Sequence, residues 1–174
     1  MLGNDIVDLE LANIQSNWRR KGYLDKIFNQ TEQQQILSAA EPDECVWKLW
    51  SLKEAAYKIY NKQTGIRTFE PRLILCDLAK VASASGRVRI KNEVYFTKTI
   101  VTSNYVHSMA ALNEQDLQRS KTDIYRGNAK NFDYHTLNPK SISHHGDYLA
   151  LVDFCWRFSQ LAHHAELISA SFCQ

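Results

Sequence analysis

The chain is poor in the residues that punctuate structure. Its 174 residues include only three prolines and six glycines. No stretch of them reads as a linker, and no repeat or low-complexity tract interrupts the sequence, so one domain spanning residues 1–174 is expected. No sign of charge dominates either. A formal net charge of +2 is too small to argue for a nucleic-acid surface, the basic residues are scattered, and no nucleic-acid motif accompanies them. No apolar run approaches the roughly 20 residues that a bilayer span requires. Asp5 and Asp8 fall where a secretion signal would be apolar. The four cysteines, Cys45, Cys76, Cys155 and Cys173, show no C-x-x-C spacing. They read as reduced thiols of a cytoplasmic protein without a membrane partner.

Several catalytic signatures are also missing. Without G-x-S-x-G, Ser143 and His144 do not make a hydrolase dyad. Without a glycine-rich P-loop, a nucleotide triphosphatase is disfavoured. The adjacent pairs His144-His145 and His163-His164 tend to splay in regular structure, and no H-E-x-x-H accompanies them, which argues against a zinc site.

What is present is an alternation of helical and extended patterns. The sequence predicts a strand near 2–7, a helix near 9–21, a second helix after Asn29 or Thr31 and a long helix over about 43–62. Strands are expected at 72–76, at Gly86–Ile90, Val94–Thr102 and Tyr105–Leu112 as an antiparallel meander, and either side of a tight turn within 141–152. Residues 119–140 read as an irregular crossing loop, and 153–170 as a C-terminal helical extension. Helices interspersed with antiparallel strands define an α+β fold.

Three segments hold candidate chemistry. In Trp50-Ser51-Leu52-Lys53-Glu54-Ala55-Ala56-Tyr57-Lys58, the helical period gathers Leu49, Leu52, Ala56, Ile59 and Tyr60 on one face. Trp47, Glu54 and Lys58 fall opposite, with Lys53 and Trp50 at the flanks. On the helix pattern alone, a solvated Glu54–Lys58 pair, worth about 0.2–0.5 kcal/mol, is the commoner reading of that face. In Gly3-Asn4-Asp5-Ile6-Val7-Asp8-Leu9, Asp5 shares a strand face with Val7 and Leu9, and a carboxylate there requires a partner such as a cation. Asp8 suits a helix N-cap. In Ser141-Ile142-Ser143-His144, the polar residues sit at a turn edge, as in any hairpin.

Taken in order, these segments resemble the motifs G-x-D-I-V-[DE]-[IL], W-[ST]-x-K-E-A-x-x-K and S-[IL]-S-H of the 4′-phosphopantetheinyl transferase superfamily. Lys26-Ile27-Phe28-Asn29-Gln30-Thr31-Glu32 is similar to that family's F-T-x-x-E helix start, and Thr64-Gly65-Ile66 to its glycine turn. With S-x-S-H last, the order is that of the holo-acyl-carrier-protein synthases. The resemblance implies transfer of 4′-phosphopantetheine from coenzyme A to a serine of an acidic apo acyl carrier protein. It implies Mg²⁺ held by Asp5 and Glu54, and catalytic roles for Glu54 and Lys58. It implies coenzyme A contacts from Lys53, Lys58, Gly65, Ser143 and His144. A position that carries a second carboxylate in some members is Val7 here, and the spacing to S-x-S-H is longer than in the short synthases. The motif order favours a homo-oligomer, whereas the strands of the longer middle segment favour a site completed within one chain. The basic run Trp18-Arg19-Arg20-Lys21, with Lys26, is either a carrier-docking surface or a solvated helix end.

Overall fold

A computed structural model describes residues 1–77, 84–127, 134 and 136–155. The N-terminal strand β1 (Leu2–Asp8) runs into helix α1 (Leu9–Gln15), followed by α2 (Tyr23–Ile27), α3 (Gln30–Ser38) and the long α4 (Pro42–Thr64). A 3₁₀ turn at Pro71–Leu73 leads to strands β2 (Ile74–Cys76), β3 (Ser85–Ile90), β4 (Glu93–Val101) and β5 (Tyr105–Ala111). Helix α5 (Glu114–Gln118) and strands β6 (Ser120–Arg126), β7 (Ser141–His145) and β8 (Tyr148–Phe154) follow.

The strands form two antiparallel sheets, of order β1-β5-β4-β3-β2 and β6-β8-β7. Helix α4 lies on one face of the larger sheet. Its Leu49, Leu52, Ala55, Ala56 and Ile59 share a core with Val7, Val88, Ile90, Val106 and Ala110. The smaller sheet covers the other face at its β1–β5 end. There Leu2, Met109, Ala111 and Val152 pack together, as do Ile6, Tyr148 and Ala150. Strand β1 is therefore enclosed from both sides, and all seven of its residues are buried.

Local chemistry sets the boundaries. Asp8 caps α1 by accepting the Leu11 N–H at 3.1 Å. Asn29 and Glu32 form a reciprocal capping box at the start of α3. Pro42 occupies the first turn of α4, and Gly65, at φ +71°, ends it in the left-handed conformation.

The α+β class, the long helix and the β3–β5 meander agree with the sequence pattern. Other expectations are corrected. The helix expected over 9–21 stops at Gln15, because Ser16 is extended and turns occupy the residues up to Gly22. The first part of the 72–76 strand is the 3₁₀ turn. Residues 120–126 are not loop: the polar run Ser-Lys-Thr-Asp-Ile-Tyr-Arg pairs with β8 along its length. The terminal segment begins as strand, with β8 continuing to Phe154; the helix expected over 153–170 otherwise lies outside the described residues. Trp47, placed by periodicity on the polar face of α4, is buried at 4 % exposure.

Candidate functional site

The site is built on the free edge of β1. One side of the strand bonds to β5, while its other backbone groups meet side chains instead of a neighbouring backbone. Lys62 Nζ donates to the Leu2 carbonyl at 3.4 Å and Lys58 Nζ to the Asn4 carbonyl at 2.7 Å. The Ile6 N–H donates to Ser143 Oγ at 3.1 Å, and the Asp8 N–H to His145 Nδ1 at 2.9 Å. Two lysines of α4 and two residues of β7 thus close an edge that would otherwise invite another strand.

Gly3 permits the strand to lie this close to α4. A methyl group at that position would overlap the Ala55 carbonyl oxygen. The approach brings Asp5 against the polar side of the helix. Asp5 Oδ1 accepts from Ser143 Oγ at 3.1 Å and lies 3.4 Å from Lys58 Nζ. The Asp5 backbone carbonyl accepts from Ser51 Oγ at 3.2 Å. Asp5 Oδ2 is buried without a hydrogen-bond partner among the described residues.

Burial raises the Asp5 pKa against the opposing pull of Lys58 and Ser143. Glu54, one helical turn before Lys58, is raised too, to about 7, by burial and then by repulsion from Asp5, with Lys58 pulling the other way. Two carboxylates that resist charging, one with an unpartnered oxygen, form a donor pair that a hard divalent cation would satisfy. Val7 is packed in the apolar core beside Val106, so it is no candidate ligand. Among the described residues no cluster of three or more histidine, cysteine or acidic side chains offers an alternative metal site. An ion taking two protein carboxylates and completing its shell from water and phosphate is the type that fits.

The structure brings Asp5, Glu54, Lys58 and Ser143 together. It separates the other sequence candidates. Lys53 faces the opposite way, fully buried, with its ammonium on Glu32 Oε2 at 2.7 Å, the Pro71 carbonyl at 2.8 Å and the Ile74 carbonyl at 2.5 Å. Its donors are used inside the protein, away from Asp5 and Ser143, and not at the coenzyme contact that the resemblance implies. Gly65 is exposed at the end of α4, where its positive φ explains the residue type. His144 is exposed, while its neighbours Ser143 and His145, on the alternate side of β7, are the residues that face β1.

Some site residues were missed from sequence. Ser51 lies a turn before Glu54, within a motif already singled out, and its spacing was the available signal. Asn4 bonds through Nδ2 to the Ala150 carbonyl at 3.1 Å and to His107 Nε2 at 3.3 Å. His107 is fully buried and held neutral, its pKa pushed down to about 4 by burial and then by Lys58. Asp8 Oδ2 accepts the Asp147 N–H at 3.1 Å, while Gly146 leaves no room for a side chain against that carboxylate. The turn of the β7–β8 hairpin is thereby fastened to the end of β1.

Comparison with known proteins bears on this arrangement. No curated protein matches the chain. Among solved structures, the holo-[acyl-carrier-protein] synthase of Thermotoga maritima aligns with 11 % identity and a TM-score of 0.47, covering 86 % of this chain and 81 % of that one. A family model matches residues 1–112, which contain Asp5, Glu54 and Lys58 but stop short of Ser143. That match spans more than half of the sequence and includes the strand and helix that build the carboxylate pair: the chain belongs to the 4′-phosphopantetheinyl transferase superfamily.

Proposed function

We propose that this protein transfers 4′-phosphopantetheine from coenzyme A to a serine hydroxyl of an apo acyl carrier protein, in a Mg²⁺-dependent reaction that releases adenosine 3′,5′-bisphosphate. The observation that carries the reading is the pairing of Asp5 and Glu54 beside Lys58, with Asp5 Oδ2 left unpartnered.

Asp5 and Glu54 would hold the ion. When bound, Mg²⁺ supplies positive charge that neutralises the phosphate oxygens. Lys58 is already oriented by the Asn4 carbonyl and Asp5, and it offers a point charge to a phosphate oxygen. Glu54 would also accept the proton of the attacking serine. Ser143 orients Asp5 by donating to Oδ1, so its part is in positioning that carboxylate. His144, exposed on β7, is available to a bound nucleotide phosphate. Arg19 of the basic run is paired with Asp43 at 2.8 Å, leaving Arg20, Lys21 and Lys26 as the exposed cations that would attract an acidic carrier.

The direct test is incubation with coenzyme A, Mg²⁺ and a panel of apo carrier proteins, read by intact mass. Addition of one phosphopantetheine to a carrier is the expected result. Unmodified carriers throughout, alongside a positive control, would contradict it.

A further inference from the structure

Lys62 is not explained by the roles assigned so far. It follows Lys58 by four residues on α4, so the two stems stack one turn apart, about 6 Å along the same face. Both ammonium groups point at the open edge of β1. Lys58 has a carboxylate beside it, Asp5 at 3.4 Å. Lys62 has none among the described residues. Among the described residues its Nζ touches two carbonyl oxygens, that of Leu2 at 3.4 Å and that of Lys140, just before β7, at 3.0 Å.

These carbonyls aim the ammonium along the seam between β1 and β7 without cancelling its charge. Burial and the neighbouring Lys58 both lower its pKa, so an arriving anion would relieve the crowding of like charges. The formal charges also match. Asp5 and Glu54 balance Lys58 and Lys62, and a divalent cation then leaves two positive charges for the two negative charges of a diphosphate.

We infer that Lys62 is a second phosphate-binding cation of the site and, with Lys58, grips the diphosphate of coenzyme A across one turn of α4. This rests on the transferase reading above. A lysine that only closed a strand edge would need a donor and no charge, and glutamine could replace it there. A phosphate contact needs the charge.

Equilibrium binding to the full chain, with Mg²⁺ present and no carrier protein, separates the two roles. The probes are coenzyme A, pantetheine and adenosine 3′-monophosphate, of which only the first contains either phosphate of the diphosphate. Lys62→Gln is expected to weaken coenzyme A binding by about tenfold, the worth of one charge-assisted hydrogen bond. Lys62→Arg should recover most of that loss. Affinity for the other two probes should not change. Unchanged coenzyme A affinity in Lys62→Gln, or equal weakening in both variants, would overturn the assignment while leaving the transferase reading intact. Equal weakening toward adenosine 3′-monophosphate would move Lys62 to the 3′-phosphate and overturn the diphosphate contact. If the wild-type chain itself fails to bind coenzyme A, the transferase reading fails and this inference with it.

Discussion

Asp5 and Glu54 sit where burial and mutual repulsion work against their charged forms. For Glu54 the pKa rises from 4.5 to about 7 on folding. A carboxyl group raised in this way lends stability that is whole below pH 4.5 and is lost as pH climbs through 7. Asp5 acts in the same direction. His107 acts oppositely, since its pKa falls from 6.5 to about 4; its contribution is present above 6.5 and lost as pH falls through 4. Above about pH 6.5 the decline therefore belongs to the carboxylates. Without Mg²⁺, Glu54→Gln should melt close to wild type below about pH 4.5 and progressively above it from there to about pH 7, where the gap levels off. In wild type, the rise in melting temperature on adding Mg²⁺ should grow over the same interval. A Glu54→Gln difference that is flat with pH would refute the assigned environment. In the transfer assay the same substitution should cost at least about a hundredfold. Asp5, Glu54 and Lys58 could be read from the sequence because a carboxylate in an apolar strand and an i,i+4 acid–base pair are visible as spacing. The unpartnered Oδ2 was not, since it depends on which atoms of other elements come near.

Between elements, two contacts fix how α4 presents Glu54. On one side Gly3 lets β1 approach the Ala55 carbonyl. Gly3→Ala drives a methyl group into that carbonyl and should destabilise the fold by about 1–3 kcal/mol, measured by urea unfolding. Wild-type stability in that variant would mean that the strand can retreat freely. On the other side Lys53 and Glu32 form a pair with both side chains fully buried, and Glu32 Oε1 also accepts the Cys76 N–H at 3.2 Å. Glu32→Gln strands the Lys53 ammonium and should cost about 3–5 kcal/mol, whereas changing both residues to methionine should cost less than the sum of the single losses. Additive losses would show that the residues do not act as a pair. The helical period put Lys53 at a flank because it counts turns about one axis. It does not register that α3 arrives with a buried carboxylate on that flank. Strand β6 escaped for a related reason: its polar run has no alternation of its own, and its pairing with β8 decides its conformation. The β3–β5 meander was legible because β-branched and aromatic residues gather in short runs separated by Lys91-Asn92 and Ser103-Asn104.

At the scale of the molecule, the question is whether one chain supplies a complete site. The sequence left this open, since Ser143 lies 138 positions from Asp5 and the motif order suggests an assembly that shares residues. The fold joins them within one chain through the Asp8–Asp147 and Asp8–His145 contacts at the end of β1 and the Ser143 contacts along it. Ser143→Ala removes a donor from Asp5 and leaves the buried Ile6 N–H without its acceptor, at a cost of about 1–3 kcal/mol. Its effect on transfer should be felt at its own chain's Asp5. Mixing Glu54→Gln with Ser143→Ala protein under conditions that permit subunit exchange should therefore restore no activity beyond the sum of the two. Each chain carries one defect in the same constellation, and exchange cannot repair either. Recovered activity would mean that Ser143 serves a neighbouring chain's Asp5. The parallel mixture with His144→Ala has no such constraint, because His144 points away from this constellation. Recovery in that mixture alone would identify β7 as the element through which a second copy reaches the bound coenzyme.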